Sequence, residues 1–207
     1  MNFDQALQFG QIGEGYIATW FRQRGYHVLP VYEKEIDNGK GPRLFMAQRA
    51  GKEQLIAPDL LILGKGKFVW VEAKQKTHFT WYGKGKYWTT GIDLRHYRDY
   101  LDVREETALP VWLFFLHTNN ITSQTDIERW NAPAECPVGL FGNELLKLKE
   151  SFSHQSPHYG PTGMIYWSIA ALRLIAPLAS VIPAAAAVPF LIPQPQWAYA
   201  DQVSQLT

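Results

Sequence analysis

Apolar residues recur every three or four positions between Phe3 and Arg24, at Phe9, Ile12, Tyr16, Ile17, Trp20 and Phe21, a period that predicts an amphipathic helix stopped by Gly25. Tyr26 to Tyr32 reads as a strand, and Pro30, which cannot donate to a sheet ladder, puts it at an edge or a bulge. A polar loop runs from Glu33 to Arg43, and Leu44 to Gln48 reads as a further strand. The stretch from Leu55 to Lys76 holds two apolar strand-like runs joined by Gly64-Lys65-Gly66-Lys67, a hairpin pattern. Two short aromatic runs around Gly83-Lys84-Gly85-Lys86 predict a second hairpin. Asp93 to Glu106 is helical in period, with Leu94, Tyr97, Leu101 and Arg104 on one stripe and Asp93 placed as N-cap. Pro110 to His117 is a continuous apolar run, as expected of a buried central strand. Asn119 to Pro137 reads as loop, Gly142 to Ser153 as a short amphipathic helix, Met164 to Trp167 as a strand and Ala170 to Ala179 as a last helix.

Composition narrows the class. The 207 residues suffice for one ordinary core, and 46% hydrophobic with 14% aromatic content is globular. From Pro177 the chain turns Pro- and Ala-rich, so the expected division is a domain over 1–176 and an arm over 177–207. Arg173 and the prolines interrupt the apolar stretch that begins at Met164, which argues against a membrane span. A single cysteine, Cys136, leaves no internal disulfide framework or Cys-rich zinc site and fits a reducing cytoplasm. His154 and His158 have the spacing of a helical metal pair, but Pro157 stands between them. The N-terminus shows no basic region followed by an apolar run, so no secretory signal is expected.

The net charge of +1 gives no global nucleic-acid signature, yet residues 64–88 hold six Lys and one acid, Glu72. That acid belongs to an unusual pattern. Alternate residues of a strand share a face, so Trp70, Glu72 and Lys74 point one way and Val69, Val71 and Ala73 the other. Pairing of the two runs brings Asp59 beside Glu72 and sets two carboxylates and an ammonium around one point. Charge inside apolar runs needs a reason, because an exposed ion pair contributes only about 0 to 1 kcal/mol. Two carboxylates without thiolate or imidazole suit Mg²⁺ or Mn²⁺.

Pro58-Asp59 followed by Glu72-x-Lys74 resembles the signature of the PD-(D/E)XK nuclease superfamily. The resemblance covers residues 3–176 in order of elements and implies an α/β, restriction-endonuclease-like core with a mixed sheet flanked by helices. It also implies Mg²⁺-dependent hydrolysis of DNA, with Asp59, Glu72 and the Ala73 backbone carbonyl as metal ligands and Lys74 orienting the nucleophile. Glu14, in the middle of the first helix between Gly13 and Gly15, matches the position of a Glu that many members direct at the metal. Those two glycines cost a helix about 1 kcal/mol each relative to Ala, which implies close approach of another element. Lys40, Arg43, Lys76, Lys84, Lys86 and Arg95 are candidates for phosphate contacts, and Trp81 and Trp88 for base stacking. His96 and Tyr100 are in reach of a substrate backbone on the same helix. The expected partner is DNA, with RNA and a homodimer left open, and junction resolution or a silent nucleic-acid-binding module are the competing functions.

Overall fold

The structure, a computed structural model, describes residues 3–31, 43–45, 54–160 and 162–183. The expected first helix is α1 (Phe3–Arg22), and the chain turns at Gly25, whose φ of +78° suits glycine. Next come β1 (His27–Pro30), β2 (Arg43–Phe45), β3 (Gln54–Ile56), β4 (Leu60–Gly64) and β5 (Lys67–Lys76). β4 and β5 form the expected antiparallel hairpin, in which Leu60 faces Val71 and Leu63 faces Phe68. Its turn residues Lys65 and Gly66 both have positive φ, the twist that a two-residue hairpin needs.

The chain continues through β6 (Thr80–Tyr82), β7 (Tyr87–Asp93), α2 (Leu94–Thr107), β8 (Val111–His117), α3 (Gln124–Trp130) and β9 (Gly139–Glu144). It then forms α4 (Leu145–Glu150), β10 (Phe152–Ser156), β11 (Met164–Ser168) and β12 (Arg173–Ala176). A six-stranded sheet has the order β1-β4-β5-β8-β9-β12. β5 and β8 are parallel and the other neighbours antiparallel, so the sheet is mixed. Parallel neighbours need a crossover, which α2 supplies. A second sheet has the order β10-β11-β7-β6, and β2 pairs with β3.

Each face of the large sheet has its own core. Ile17, Ala18, Trp20 and Phe21 of α1 pack on Val71, Ala73, Phe114 and Leu116, while Tyr97, Tyr100 and Val103 of α2 pack with Trp70, Leu113 and Phe115. The alternation expected along β5 is therefore observed, as is the α/β core with a mixed sheet between helices. β8 lies between β5 and β9 with five consecutive buried residues from Leu113, so its unbroken apolar run reflects burial on both faces. β1 is an edge strand, which accommodates Pro30.

Three sequence expectations are corrected. Ala170–Ala179 is not a helix: 3₁₀ turns at Ile169–Ala171 and Leu178–Ser180 flank β12, which completes the sheet against β9. Apolar Leu172, Leu174, Ile175 and Ala176 carry no period that separates a short strand from a helix. The supposed helix at Gly142–Ser153 is the end of β9, then α4, then the start of β10. The expected loop at Asn119–Pro137 contains α3, capped by Ser123, whose side chain accepts from the Asp126 N–H. Past β12, Val181 is buried and Ile182 packs against the α1-side core. The arm from residue 184 onward, and Lys40, lie outside the described residues. No helix among the described residues is long and apolar enough to cross a membrane.

Candidate active site

Asp59 is the last residue before β4, reached through Ala57 and Pro58, and it is held there by two hydrogen bonds of different elements. Its own Oδ2 accepts from the Ala73 N–H of β5 at 3.0 Å. Upstream, the Ile56 N–H at the end of β3 donates to Asp99 Oδ2 of α2, also at 3.0 Å. The chain entering the site is thus fastened to the strand on one side and to the helix on the other.

Glu72 and Lys74 stand on the α2 face of β5, two residues apart. Glu72 is fully buried, and its carboxylate is ion-paired with Lys74 Nζ. Neither of its oxygens accepts a well-aligned hydrogen bond. Lys74 Nζ also lies 3.9 Å from Asp59 Oδ2, and its side chain retains 30% exposure. Two carboxylates that share one ammonium leave one negative charge uncompensated in a poorly solvated place.

The titration of the cluster follows. Burial, with the Glu72 charge added to it, raises Asp59 to about 7, against the opposing pull of Lys74 and of the Ala73 N–H. Glu14 is half-buried in the middle of α1 and is likewise raised to about 7, by burial and then by the Asp59 charge. Burial disfavours the Lys74 charge, but Asp59 and Glu72 outweigh it and hold the ammonium protonated far above the ordinary lysine range. Lys76, next along the same face, is lowered to about 8 by burial and by Lys74. Tyr100 of α2 is fully buried, and burial together with the Glu72 and Asp59 charges pushes its phenol well above the usual value. His96, one turn earlier, is lowered by burial and by Lys74.

The oxygen donors suit a hard divalent cation: two carboxylates around one ammonium, and no thiolate nearby. Among the described residues no three His, Cys, Asp or Glu side chains come close enough to hold a metal by themselves. A Mg²⁺ ion, which keeps several waters, is compatible with two protein carboxylates, and Glu14 stands as an electrostatic neighbour.

The structure brings Asp59, Glu72 and Lys74 together, while Glu14 of α1 feels the charges of Asp59 and Lys74 and Lys76 those of Lys74 and Glu72. Other candidates are dispersed. Lys84 and Lys86 are exposed in the β6–β7 turn, Arg95 is exposed in the first turn of α2, and Arg43 begins β2. Trp88 is buried in the core and its ring meets the half-buried Trp81 edge-on at 4.7 Å, so its face is closed to a base. Trp81 and Trp88 are cross-strand partners, and their shared face is the core face of the sheet. Tyr100 is also too buried to reach a substrate backbone and stands behind Glu72 instead. Asp99 was not legible as a site residue: its partner is a backbone N–H 43 positions away. A cavity of about 680 Å³ lies beneath the C-terminal turn of α1, lined by Trp20, Arg24, Trp112 and Phe114 among others, and none of the acid cluster lines it.

A mixed sheet between helices, with two buried acids and a lysine gathered at β4 and β5, defines an α/β protein with a charged cluster on its central sheet. No protein-family model matches the sequence, and no curated protein matches it. Among solved structures it is similar to Hjc, a Holliday junction resolvase from the archaeal hyperthermophile Archaeoglobus fulgidus, at 6% identity over 78% of this chain and 90% of that one, with a TM-score of 0.41.

Proposed function

We propose that the protein is a metal-dependent nuclease that hydrolyses phosphodiester bonds of DNA. The observation that carries this reading is the convergence of Asp59, Glu72 and Lys74, with both acids buried and one charge left over. A structural ion pair needs one acid and one base; the second buried acid is a cost that folding does not require. A bound Mg²⁺ or Mn²⁺ would lower the pKa of a coordinated water and offset charge on the attacked phosphate. Asp59 and Glu72 would hold it, with the Ala73 carbonyl as the backbone ligand. Lys74, kept protonated by its two partners, is a donor rather than a base: it orients the nucleophile and stabilises charge developing on the phosphate. The Ala73 N–H fixes the orientation of the Asp59 carboxylate, and the buried Tyr100 stands against Glu72.

One observation favours a second reading. Lys74 already bridges both acids, and no third ligand completes a cage among the described residues, as expected of a fold kept for nucleic-acid binding without cleavage. A panel of single-stranded, duplex, flap and four-way DNA, each with Mg²⁺, Mn²⁺ or EDTA, separates the two. Metal-dependent cutting of any member supports the nuclease, and its preferred member decides between a general endonuclease and a junction-selective one. Binding without cutting across the whole panel supports the silent module.

A further inference from the structure

The four-stranded sheet has two unlike faces. Trp88, Ile92, Ile165 and Trp167 point into the core, and the alternate residues Tyr82, Tyr87, Gly91 and Tyr166 do not. On this second face Tyr82 stacks on His154 at 4.1 Å and 16°, and His154 stacks on Tyr166 at 4.6 Å and 7°. Three near-parallel, half-buried rings therefore form one column. The column is fixed rather than accidental: Ser153 Oγ bonds both His154 Nδ1, at 2.9 Å, and the Tyr87 hydroxyl, at 2.8 Å. Opposite Tyr166 the strand carries Gly91, where an added Cβ would fall 2.8 Å from the ring, so the glycine lets the ring lie across β7.

Charge says what the column suits. Residues 77–92 and 151–168 contain no Asp or Glu, while Lys84 and Lys86 stand exposed in the turn between Tyr82 and Tyr87. The one acid on the four strands, Asp93, is engaged in capping α2 through the Arg95 N–H and in a bond from the Thr162 hydroxyl. Ordered rings, adjacent lysines and acids that are already engaged, Asp93 at the α2 cap and Asp126 of α3 by the Trp81 N–H, match a polyanion that carries planar groups. Bases inside a duplex are stacked on one another and cannot meet these rings; unpaired bases can. β7 runs from this surface to Asp93, the cap of α2, and α2 carries Asp99, which accepts from the Ile56 N–H three residues before Asp59.

We propose that Tyr82 and Tyr166, the outer rings of a column that His154 holds together, form with Lys84 and Lys86 a stacking platform for unpaired bases, so that the strand delivered toward Asp59, Glu72 and Lys74 is single-stranded nucleic acid. The binding half of this inference stands by itself; the delivery half rests on the nuclease reading. The test is fluorescence-anisotropy titration, in EDTA, of a single-stranded oligonucleotide and a duplex with the same number of phosphates. The wild type should prefer the single strand. Tyr166→Ala should weaken that binding by about tenfold or more, as loss of base stacking does elsewhere, and leave the duplex unchanged. Tyr166→Phe, which keeps the ring, should stay within about twofold of wild type. Lys84→Ala with Lys86→Ala should weaken both ligands, since phosphates are common to them. A thermal melt accompanies each variant, and Tyr166→Leu, which keeps apolar bulk without a ring, replaces the alanine variant where that one unfolds. Equal binding by wild type and a folded ring-free variant, or equal losses on single strand and duplex, overturns the platform. Preferred binding of single strands without cleavage in Mg²⁺ or Mn²⁺ keeps the platform and removes the nuclease; cleavage that ring-free variants leave unaltered does the reverse.

Discussion

Lys74 is the residue on which the chemistry turns, because two carboxylates fix its charge and its chain reaches past them toward solvent. Lys74→Ala is expected to slow cleavage by about two to four orders of magnitude, the range for a positioned electrostatic group, while DNA affinity stays within a few-fold. Lys74→Arg should not restore the rate, since a planar guanidinium cannot occupy the position of a compact ammonium between two acids; single-turnover assays decide both. Asp59 carries a pH signature. Its folded pKa, about 7, is above the ordinary carboxylate value, so between pH about 4 and 7 the folded state binds a proton that the unfolded state has released. Stability is favoured at the acid end of that window and falls as pH rises through it. Metal binding needs the released carboxylate, so Mn²⁺ affinity should climb over the same interval and level off above about pH 7. Asp59→Asn should raise the melting temperature of the metal-free protein above pH 7 and abolish the gain that Mn²⁺ gives the wild type. Calorimetric scans across pH test this, and a variant that melts lower at every pH while retaining the Mn²⁺ response would refute it.

At the scale of elements, two contacts place the cluster. Gly13 lets α1 lie on β5: a Cβ there would fall 2.4 Å from the Gln75 Cβ, whereas the Cβ of an alanine at Gly15 would meet nothing within 4 Å. Gly13→Ala should therefore cost about 1 to 3 kcal/mol by overpacking, and Gly15→Ala should gain up to about 1 kcal/mol from helix propensity. Urea midpoints for the two variants should move in opposite directions. Both glycines predict close approach, and only Gly13 has it. The second contact is Asp99, which ties α2 to the Ile56 N–H three residues before Asp59. Asp99→Ala strands a buried donor at a cost of about 1 to 3 kcal/mol, and it should weaken Mn²⁺ binding as the Pro58-Asp59 segment loosens. Asp99→Asn keeps an acceptor and should recover most of that affinity, which a merely destabilising lesion would not show.

Across the whole molecule, β7 runs from the basic β6–β7 turn and the stacked rings of the second sheet to the α2 N-terminus, and α2 reaches the Asp59 segment through Asp99. Removing Lys84 and Lys86 should lower the salt slope of DNA binding by about two, because each contact releases about one counterion. The linear pattern determined the β4–β5 hairpin, the alternation along β5, the buried β8 and the acid–acid–lysine set, since each is written in neighbours a few residues apart and in the period of two or 3.6 that burial imposes. It did not determine β12, because a four-residue edge strand has too few positions to show a period, and it misassigned Trp88, because an aromatic in a hairpin looks the same whether its face meets core or solvent. Tertiary structure alone decided that Asp99 bonds Ile56, that Tyr100 backs Glu72 and that His154 lies between Tyr82 and Tyr166. Those pairs are separated by 12 to 72 positions, and what joins them is the crossover of α2 and the pairing of strands in the second sheet, which no local pattern records.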